Sequence, residues 1–264
     1  MTRAVVCGAL GRMGKAILRL SLEYSDFQVV AGVEHPDCIR SPDLGTASGI
    51  EELKGLALTS RLEEVLPLCD VVIEFSGNTT AAVSHAKLSA LAGKGVVIGT
   101  TGFSSQEVEE IKSYSENAPI LLSPNMSLGV NLLFKLAEIA GRVLSKRGFD
   151  VEILELHHRF KKDAPSGTAL KLEEILVQVM GLGRRVHGRD GICPRQEGEI
   201  GTMAIRGGDV VGEHTVYFLG FGERLELTHR ATSRDIFARG AIEAGRWIKG
   251  REPGWYSMFD VLGL

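Results

Sequence analysis

Cysteine is sparse in this chain of 264 residues. Its four copies, Cys7, Cys38, Cys69 and Cys193, include no Cys-x-x-Cys pair. That scatter gives little support to a metal site or a redox motif, and reduced structural thiols are expected. No metal is predicted. No apolar run approaches the ~20 residues that a membrane span requires. The N-terminus runs from Thr2-Arg3 into a strand pattern, without the basic region, apolar core and cleavage site of a secretory leader. A soluble, cytoplasmic protein is the expectation. Excess charge is also absent, since 30 Lys and Arg face 33 Asp and Glu, a formal net charge of −3. Neither a nucleic acid nor a membrane is an expected partner. Local basic clusters at Arg184-Arg185 and from Arg159 to Lys162 fit a small anionic ligand better. Internal repeats and low-complexity tracts are missing too.

What is present is an ordinary globular composition, 44% hydrophobic and 24% charged, with room for one large or two modest domains. Short β-branched runs at 4–8, 29–34, 56–59, 70–76, 95–99 and 119–124 alternate with helical periodicity. Met13, Ile17 and Leu20 mark one helix face. Ser104 and Glu107 form a capping box at the start of another helix. Apolar strands alternating with helices imply a parallel sheet covered on both faces, an α/β domain. Residues 35–55, polar and glycine-rich, read as a long loop with little structure of its own. After Pro124 the pattern changes. A helix over 128–146 carries Leu132, Leu133, Leu136, Ile139, Ala140 and Val143 on one face. Strand candidates follow at 151–157, 199–206, 210–219 and 224–232, with one helix at 168–180 between the first two. This predicts a smaller α+β domain with a mixed, mostly antiparallel sheet, and a mobile loop at 181–198. Helical periodicity returns at 237–249, and Asp260-Val-Leu262 is short and apolar. The expected division is 1–126 with 235–264, against 127–234.

The first strand runs into Gly8-Ala9-Leu10-Gly11-Arg12-Met13-Gly14, a glycine turn leading into a helix. Such a turn brings bare backbone and helix N-terminal amides up to a pyrophosphate. Glu34 closes the second strand candidate, where an acid accepts both ribose hydroxyls of an adenosine. The same glycines would also suit an unrelated α/β turn. A carboxylate at Glu34 repels a 2′-phosphate, which favours NADH, while a partly protonated His35 would still tolerate NADPH. Gly99-Thr100-Thr101 and Ser123-Pro124-Asn125-Met126 close two further strands, at the edge of the sheet where ligands bind. On their own, both segments are equally ordinary turns. Arg12 either meets phosphate or packs outward.

The densest chemistry lies in Glu152-Ile-Leu-Glu155-Leu-His157-His158-Arg-Phe-Lys161-Lys-Asp163-Ala-Pro165-Ser166-Gly167-Thr168-Ala169. Free amides at a helix start, two hydroxyls and one bare glycine make a carboxylate cradle. Ser166 is equally readable as a plain N-cap. His157 and His158 point to opposite faces while the strand lasts, so one is packed and the other open. A histidine supplies a proton near neutral pH, and a cation such as Lys161 stabilises developing negative charge and lowers the histidine's pKa. Glu152 and Glu155 read as supporting residues. Arg234 either touches a substrate carboxylate or ties the domains together.

This segment, together with the glycine turn, resembles the dihydrodipicolinate reductase family. The family signature is matched at every fixed position from Glu152 to Ala169, and the resemblance covers essentially the whole chain. It implies an NAD(P)H-dependent oxidoreductase that reduces 4-hydroxy-tetrahydrodipicolinate, a cyclic dicarboxylate, to tetrahydrodipicolinate in lysine and diaminopimelate synthesis. By the same resemblance His157 is the catalytic acid/base and Lys161 a proton donor. His158, Gly167 and Thr168 bind substrate, with Ser166 and Lys161 helping to hold its carboxylates. Gly99–Thr101 and Ser123–Met126 flank the nicotinamide and its ribose, and a homotetramer forms through the substrate-domain sheets. The departures from the family pattern are the longer spacing of the first glycines and His35, where relatives that accept NADPH well commonly have an arginine. Two rivals remain: another dehydrogenase of an aspartate-derived metabolite, and a catalytically idle redox sensor that binds NADH.

Overall fold

The computed structural model describes every residue, Met1–Leu264. Elements are numbered in chain order. The first stretch contains β1 (Thr2–Cys7), α1 (Arg12–Ser21), β2 (Phe27–Val33), α2 (Leu44–Ser48), β3 (Ala57–Thr59), α3 (Leu62–Val65), β4 (Val71–Glu74), α4 (Thr79–Leu91), β5 (Gly95–Ile98), α5 (Ser105–Ser113) and β6 (Pro119–Leu122). Next come α6 (Leu128–Leu144), β7 (Asp150–His157), α7 (Gly167–Met180), β8 (Arg184–Val186), β9 (Glu199–Arg206), β10 (Gly212–Leu219) and β11 (Arg224–Ala231). The chain closes with α8 (Asp235–Ile248), β12 (Gly254–Tyr256) and α9 (Met258–Leu262). These elements gather into two compact units, Met1–Ser127 with Asp235–Leu264, and Leu128–Arg234.

The first unit is built on a parallel sheet in the order β12-β6-β5-β4-β1-β2-β3. Every residue of β4 and β5 is buried, as a strand covered on both faces must be. On one face Ala86, Ala90 and Ile111 of α4 and α5 pack against Val96, Ile98 and Ile120. Helix α1 packs with α8. The capping box at Ser104 and Glu107 forms as the sequence predicts. Beyond β1 the chain runs outward through β2 and β3, then crosses back to place β4 on the other side of β1. That reversal leaves a crevice at the carboxyl ends of β1 and β4.

Residues 35–55 depart from expectation, because they are not an unstructured loop. They hold a 3-10 turn at Pro36–Cys38, α2, and a second 3-10 turn at Glu51–Leu53. The Asp43 carboxylate organises them, accepting from Thr46 N at 2.7 Å and Gly55 N at 2.5 Å. These helices are too short to show a period in the sequence. Strand β12 is likewise an addition that three residues could not announce.

The second unit carries a five-stranded sheet in the order β11-β10-β7-β9-β8. It is mixed: β11-β10 and β10-β7 are antiparallel, whereas β7-β9 and β9-β8 are parallel. The parallel half follows from α7, which serves as the crossover between β7 and β9. One sheet face, with Val151, Ile153, Val216 and Phe218, is sealed. Helix α6 corrects the sequence reading. Its buried residues are Val130, Asn131, Leu133, Phe134, Ala137 and Gly141, while Leu132, Leu136, Ile139 and Val143 stay exposed. The helix is apolar on two sides, and α7 takes the side where Gly141 permits close approach. A Cβ there would lie 2.7 Å from Val179. Residues 181–198 are also no free loop. They contain β8, and Arg189 and Arg195 tie them to Glu152, Glu199 and Asp150. Those pairs join residues far apart in sequence, so no local pattern signals them.

Candidate active site

In the first unit, strand β1 ends at Cys7 and the chain turns at Gly8, whose φ is +73°. A Cβ on Gly8 would stand 2.4 Å from the Phe75 carbonyl oxygen, and one on Gly14 would stand 2.1 Å from the Gly8 carbonyl. The turn therefore admits no side chain at either position. Gly11 caps α1 without a side-chain hydrogen bond, and the first turn of α1 contains no acid. Amides at the start of α1, from Arg12 onward, are thus left for an anion. Arg12 itself is exposed. Glu34 lies beside the turn, accepting from Leu10 N at 2.8 Å and His35 N at 2.9 Å. Its carboxylate is held against the backbone of the glycine turn at Ala9-Leu10. His35 is exposed and occupied locally, accepting from Asp37 N at 3.4 Å.

The other predicted segments sit at the carboxyl ends of β5 and β6. Gly99 is pressed under the Phe75 ring, where a Cβ would come within 2.1 Å. Thr100 is buried and Thr101 exposed. Ser123 Oγ donates to Asn125 O at 2.8 Å, and Asn125 Oδ1 accepts from Ser127 N at 2.9 Å. Pro124 is exposed, whereas Met126 is buried. Sequence reasoning missed Phe75, Ser76 and Gly77, which follow β4; Phe75 lies against both Gly8 and Gly99, and Ser76 against Gly8. The signal was the switch in strand order, which only the folded sheet displays. Concavities beside Met1, Asp26 and Arg246, and beside Tyr24, Phe27 and Leu53, lie toward the amino ends of β1 and β2. They hold no comparable chemistry.

In the second unit, alternation along β7 places Val151, Ile153, Glu155 and His157 on the sealed face. Glu155 is 0% exposed. Its carboxylate accepts from both terminal nitrogens of Arg206 at 2.7 Å, from Ser166 N at 3.0 Å, and from His157 Nδ1 at 2.6 Å. Arg206 also donates to the Asp163 carbonyl at 2.6 Å, which fastens the segment leading into α7. Burial alone would raise the Glu155 carboxyl, but bonds from Arg206, His157 and Ser166 hold it below the usual range. An ionised carboxylate only accepts, so His157 Nδ1 carries the hydrogen and Nε2 is left for chemistry. Gly212 keeps the space beside that nitrogen clear, since a Cβ there would lie 3.0 Å from Nε2. Burial pushes the His157 pKa below 6.5; Glu155 opposes the shift, and Lys161 and Arg206 add to it.

The remaining predicted residues surround this core. His158 is half-buried, its Nε2 3.3 Å from an Arg234 terminal nitrogen. Lys161 Nζ stands 3.0 Å from Asp163. Ser166 caps α7, accepting from Ala169 N at 3.3 Å, and its hydroxyl lies 3.0 Å from His214 Nε2. Gly167 and Thr168 open α7, and a Cβ on Gly167 would meet nothing within 4 Å. Glu152 points to the other sheet face, toward Arg189 and Arg195. Arg206 and His214 were missed, because only strand pairing brings them to the histidine. The His157 and His214 rings meet edge to face at 5.2 Å.

Both units match one family. The dihydrodipicolinate reductase N-terminus model fits residues 2–126, and the corresponding C-terminus model fits residues 129–262. The chain belongs to the dihydrodipicolinate reductase family. A 4-hydroxy-tetrahydrodipicolinate reductase from Aquifex aeolicus (strain VF5) is 70% identical over 99% of both chains. One from Myxococcus xanthus (strain DK1622) is 47% identical, covering 100% of this chain and 98% of its own length. Among solved structures, a dipicolinate-bound dihydrodipicolinate reductase from Paenisporosarcina sp. TG-14 superposes with a TM-score of 0.80. It is 23% identical over 98% of each chain, and the likeness bears on the fold.

Burial, followed by the nearby His157, pushes the His214 pKa down to about 3. Its folded-state pKa is thus below the unfolded value of about 6.5. The stability this carries is complete above pH 6.5 and is lost as pH falls toward 3. Urea midpoints measured across that window should fall more steeply for the native chain than for His214→Gln. The difference in slope should approach about 1.4 kcal/mol per pH unit. Parallel slopes would show that His214 protonates freely in the folded protein.

Proposed function

We propose that this chain catalyses the NAD(P)H-dependent reduction of 4-hydroxy-tetrahydrodipicolinate to tetrahydrodipicolinate, in which the 4-hydroxyl departs as water, a step of lysine and diaminopimelate synthesis. The observation that carries the mechanism is the Glu155–His157 pair beside the anion-accepting start of α7. A bound reduced nicotinamide supplies the hydride. Gly8, Ala9, Leu10, Gly11, Arg12, Met13 and Gly14 hold the pyrophosphate, Glu34 the adenosine ribose, and Gly99–Thr101 with Ser123–Met126 the far end. Because a carboxylate at Glu34 repels a 2′-phosphate, NADH is the preferred form and NADPH is tolerated. The bare glycines and the acid-free start of α1 fit such a ligand.

At the substrate, the amides of Gly167 and Thr168, the Ser166 hydroxyl, His158 and Lys161 hold the carboxylates. Negative charge left by reduction is neutralised by a proton from His157 Nε2, with Lys161 stabilising it and serving as a second donor. Glu155 fixes the ring and supports its imidazolium form. The exposed sheet face, with Leu154, Leu156, Met203 and Ile205, forms the contacts of a homotetramer, and the enzyme works in the cytoplasm. No helix is long and apolar enough to cross a membrane.

His157→Gln should lower kcat by roughly 10²-fold or more with a smaller change in KM. Lys161→Ala should damage both, because its charge serves bound substrate as well as the transition state. With native enzyme, log kcat/KM should decline as pH rises past an apparent pKa below 6.5, since the imidazolium is the acid. Normal turnover in the His157 variant would move the acid role elsewhere. Absence of turnover in the native chain would leave the two rivals, a dehydrogenase of another aspartate-derived metabolite and the idle sensor.

For the nucleotide, Glu34→Ala should weaken NADH by about 1–2 kcal/mol and narrow its margin over NADPH in fluorescence titrations. An unchanged NADH dissociation constant would remove Glu34 from the ribose.

For the assembly, light scattering should give four chains, and Ile205→Asp should yield smaller species by placing a charge in an apolar contact. A native monomer would refute the tetramer.

A further inference from the structure

Glu74 is the last residue of β4, is 0% exposed, and has no place in the chemistry described so far. An isolated buried carboxylate is costly, so its partners show what it is for. Ser76 N donates to Oε1 at 2.6 Å and Thr100 Oγ1 donates to the same oxygen at 3.2 Å. His85 Nδ1, on α4, lies 2.5 Å from Oε2. The buried Cys7 thiol, at the end of β1, lies within 4.8 Å of this carboxylate. Ligand atoms of Cys7, Glu74 and His85 all lie within 4.8 Å of one another. A carboxylate offers about four lone-pair sites, and here the donors come from the ends of β4 and β5 and from α4. Burial works against the charged form, but the His85 and Ser76 bonds hold the carboxyl below its usual range.

The position of this hub follows from strand order. The glycine turn lies at the end of β1 and Glu34 beyond β2, so the adenosine half of a dinucleotide occupies the β2 side. The other half must run across the ends of β4 and β5. Thr100 Oγ1 both donates to Glu74 and accepts from Gly77 N at 3.1 Å, closing a ring of bonds around Phe75–Gly77. Within that stretch Phe75 and Ser76 back the glycine turn at Gly8, and the Phe75 ring covers Gly99.

We infer that Glu74, held by His85, is a positioning residue that sets the nicotinamide half of the nucleotide site and leaves the adenosine half unaffected. The inference rests on the dinucleotide reading of this unit. Calorimetric titrations with NADH and with ADP-ribose, which lacks the nicotinamide, separate the two. Native protein should bind both. Glu74→Gln and His85→Leu should weaken NADH about tenfold while ADP-ribose stays within twofold. His85→Asn, which keeps an N–H donor near the place of Nδ1, should restore NADH binding most of the way. Unchanged NADH affinity in both disruptive variants, or equal loss of both ligands, would overturn the positioning role. Failure of the native protein to bind either ligand would instead overturn the dinucleotide reading itself.

Discussion

The charge on Glu155 is the constraint on which the second unit's chemistry depends. A carboxylate sealed from water survives ionised only when donors answer its lone pairs, and here Arg206, Ser166 and His157 do so. Each donor arrives on a different piece of chain: β9, the start of α7, and β7 itself. Satisfying the acid therefore fixes the ring nitrogen that chemistry uses and the register of the segment leading into α7. Removing the Arg206 side chain would leave an uncompensated buried charge, with an effect larger than one lost hydrogen bond. The bonds that keep the acid charged are the same ones that set the geometry around His157.

Histidine behaviour follows from that arrangement. His157, His214 and His229 all sit below the ordinary imidazole range, chiefly because burial penalises their charged forms. Imidazolium forms of His157 and His214 would repel one another and the neighbouring Lys161. Keeping the rings neutral lets two fixed cations, Lys161 and Arg206, stand beside them. On the proposed reading, a dianionic substrate would favour the imidazolium of His157, making its proton most available when substrate is bound. Among the three, only His157 has a carboxylate on its ring nitrogen. The other two keep Nδ1 buried without a partner in the protein.

Much of this was legible in the sequence where chemistry is local. The glycine turn, the Ser104 capping box and the strand from Val151 to His157 announce themselves by spacing or period. The paired histidines and the Ser166-Gly167-Thr168 start do so by residue type. What stayed hidden depends on pairing across distance. Arg206 reaches Glu155 because β9 lies beside β7, and Phe75 covers Gly99 because β4 lies beside β5. The stripe on α6 misled for a related reason. Periodicity ranks how apolar a face is, but it cannot say which of two apolar faces the neighbouring helix will take. The arginines of 181–198 looked like loop residues, since their acids lie on β7 and β9.

The glycines separate what the fold demands from what it merely permits. At Gly8, Gly14 and Gly99 a side chain would collide with the protein's own atoms, so packing alone explains the residue. Gly167 is different. Its φ is not in the left-handed region, a Cβ would meet nothing within 4 Å, and it stands at the first position of α7. No contact within the chain calls for a glycine there. That open space lies at the N-terminal, positive end of α7. A carboxylate approaching the Gly167 amide needs the space a methyl group would take. The fold thus gives no reason for the glycine, whereas the carboxylate site proposed for the substrate would supply one.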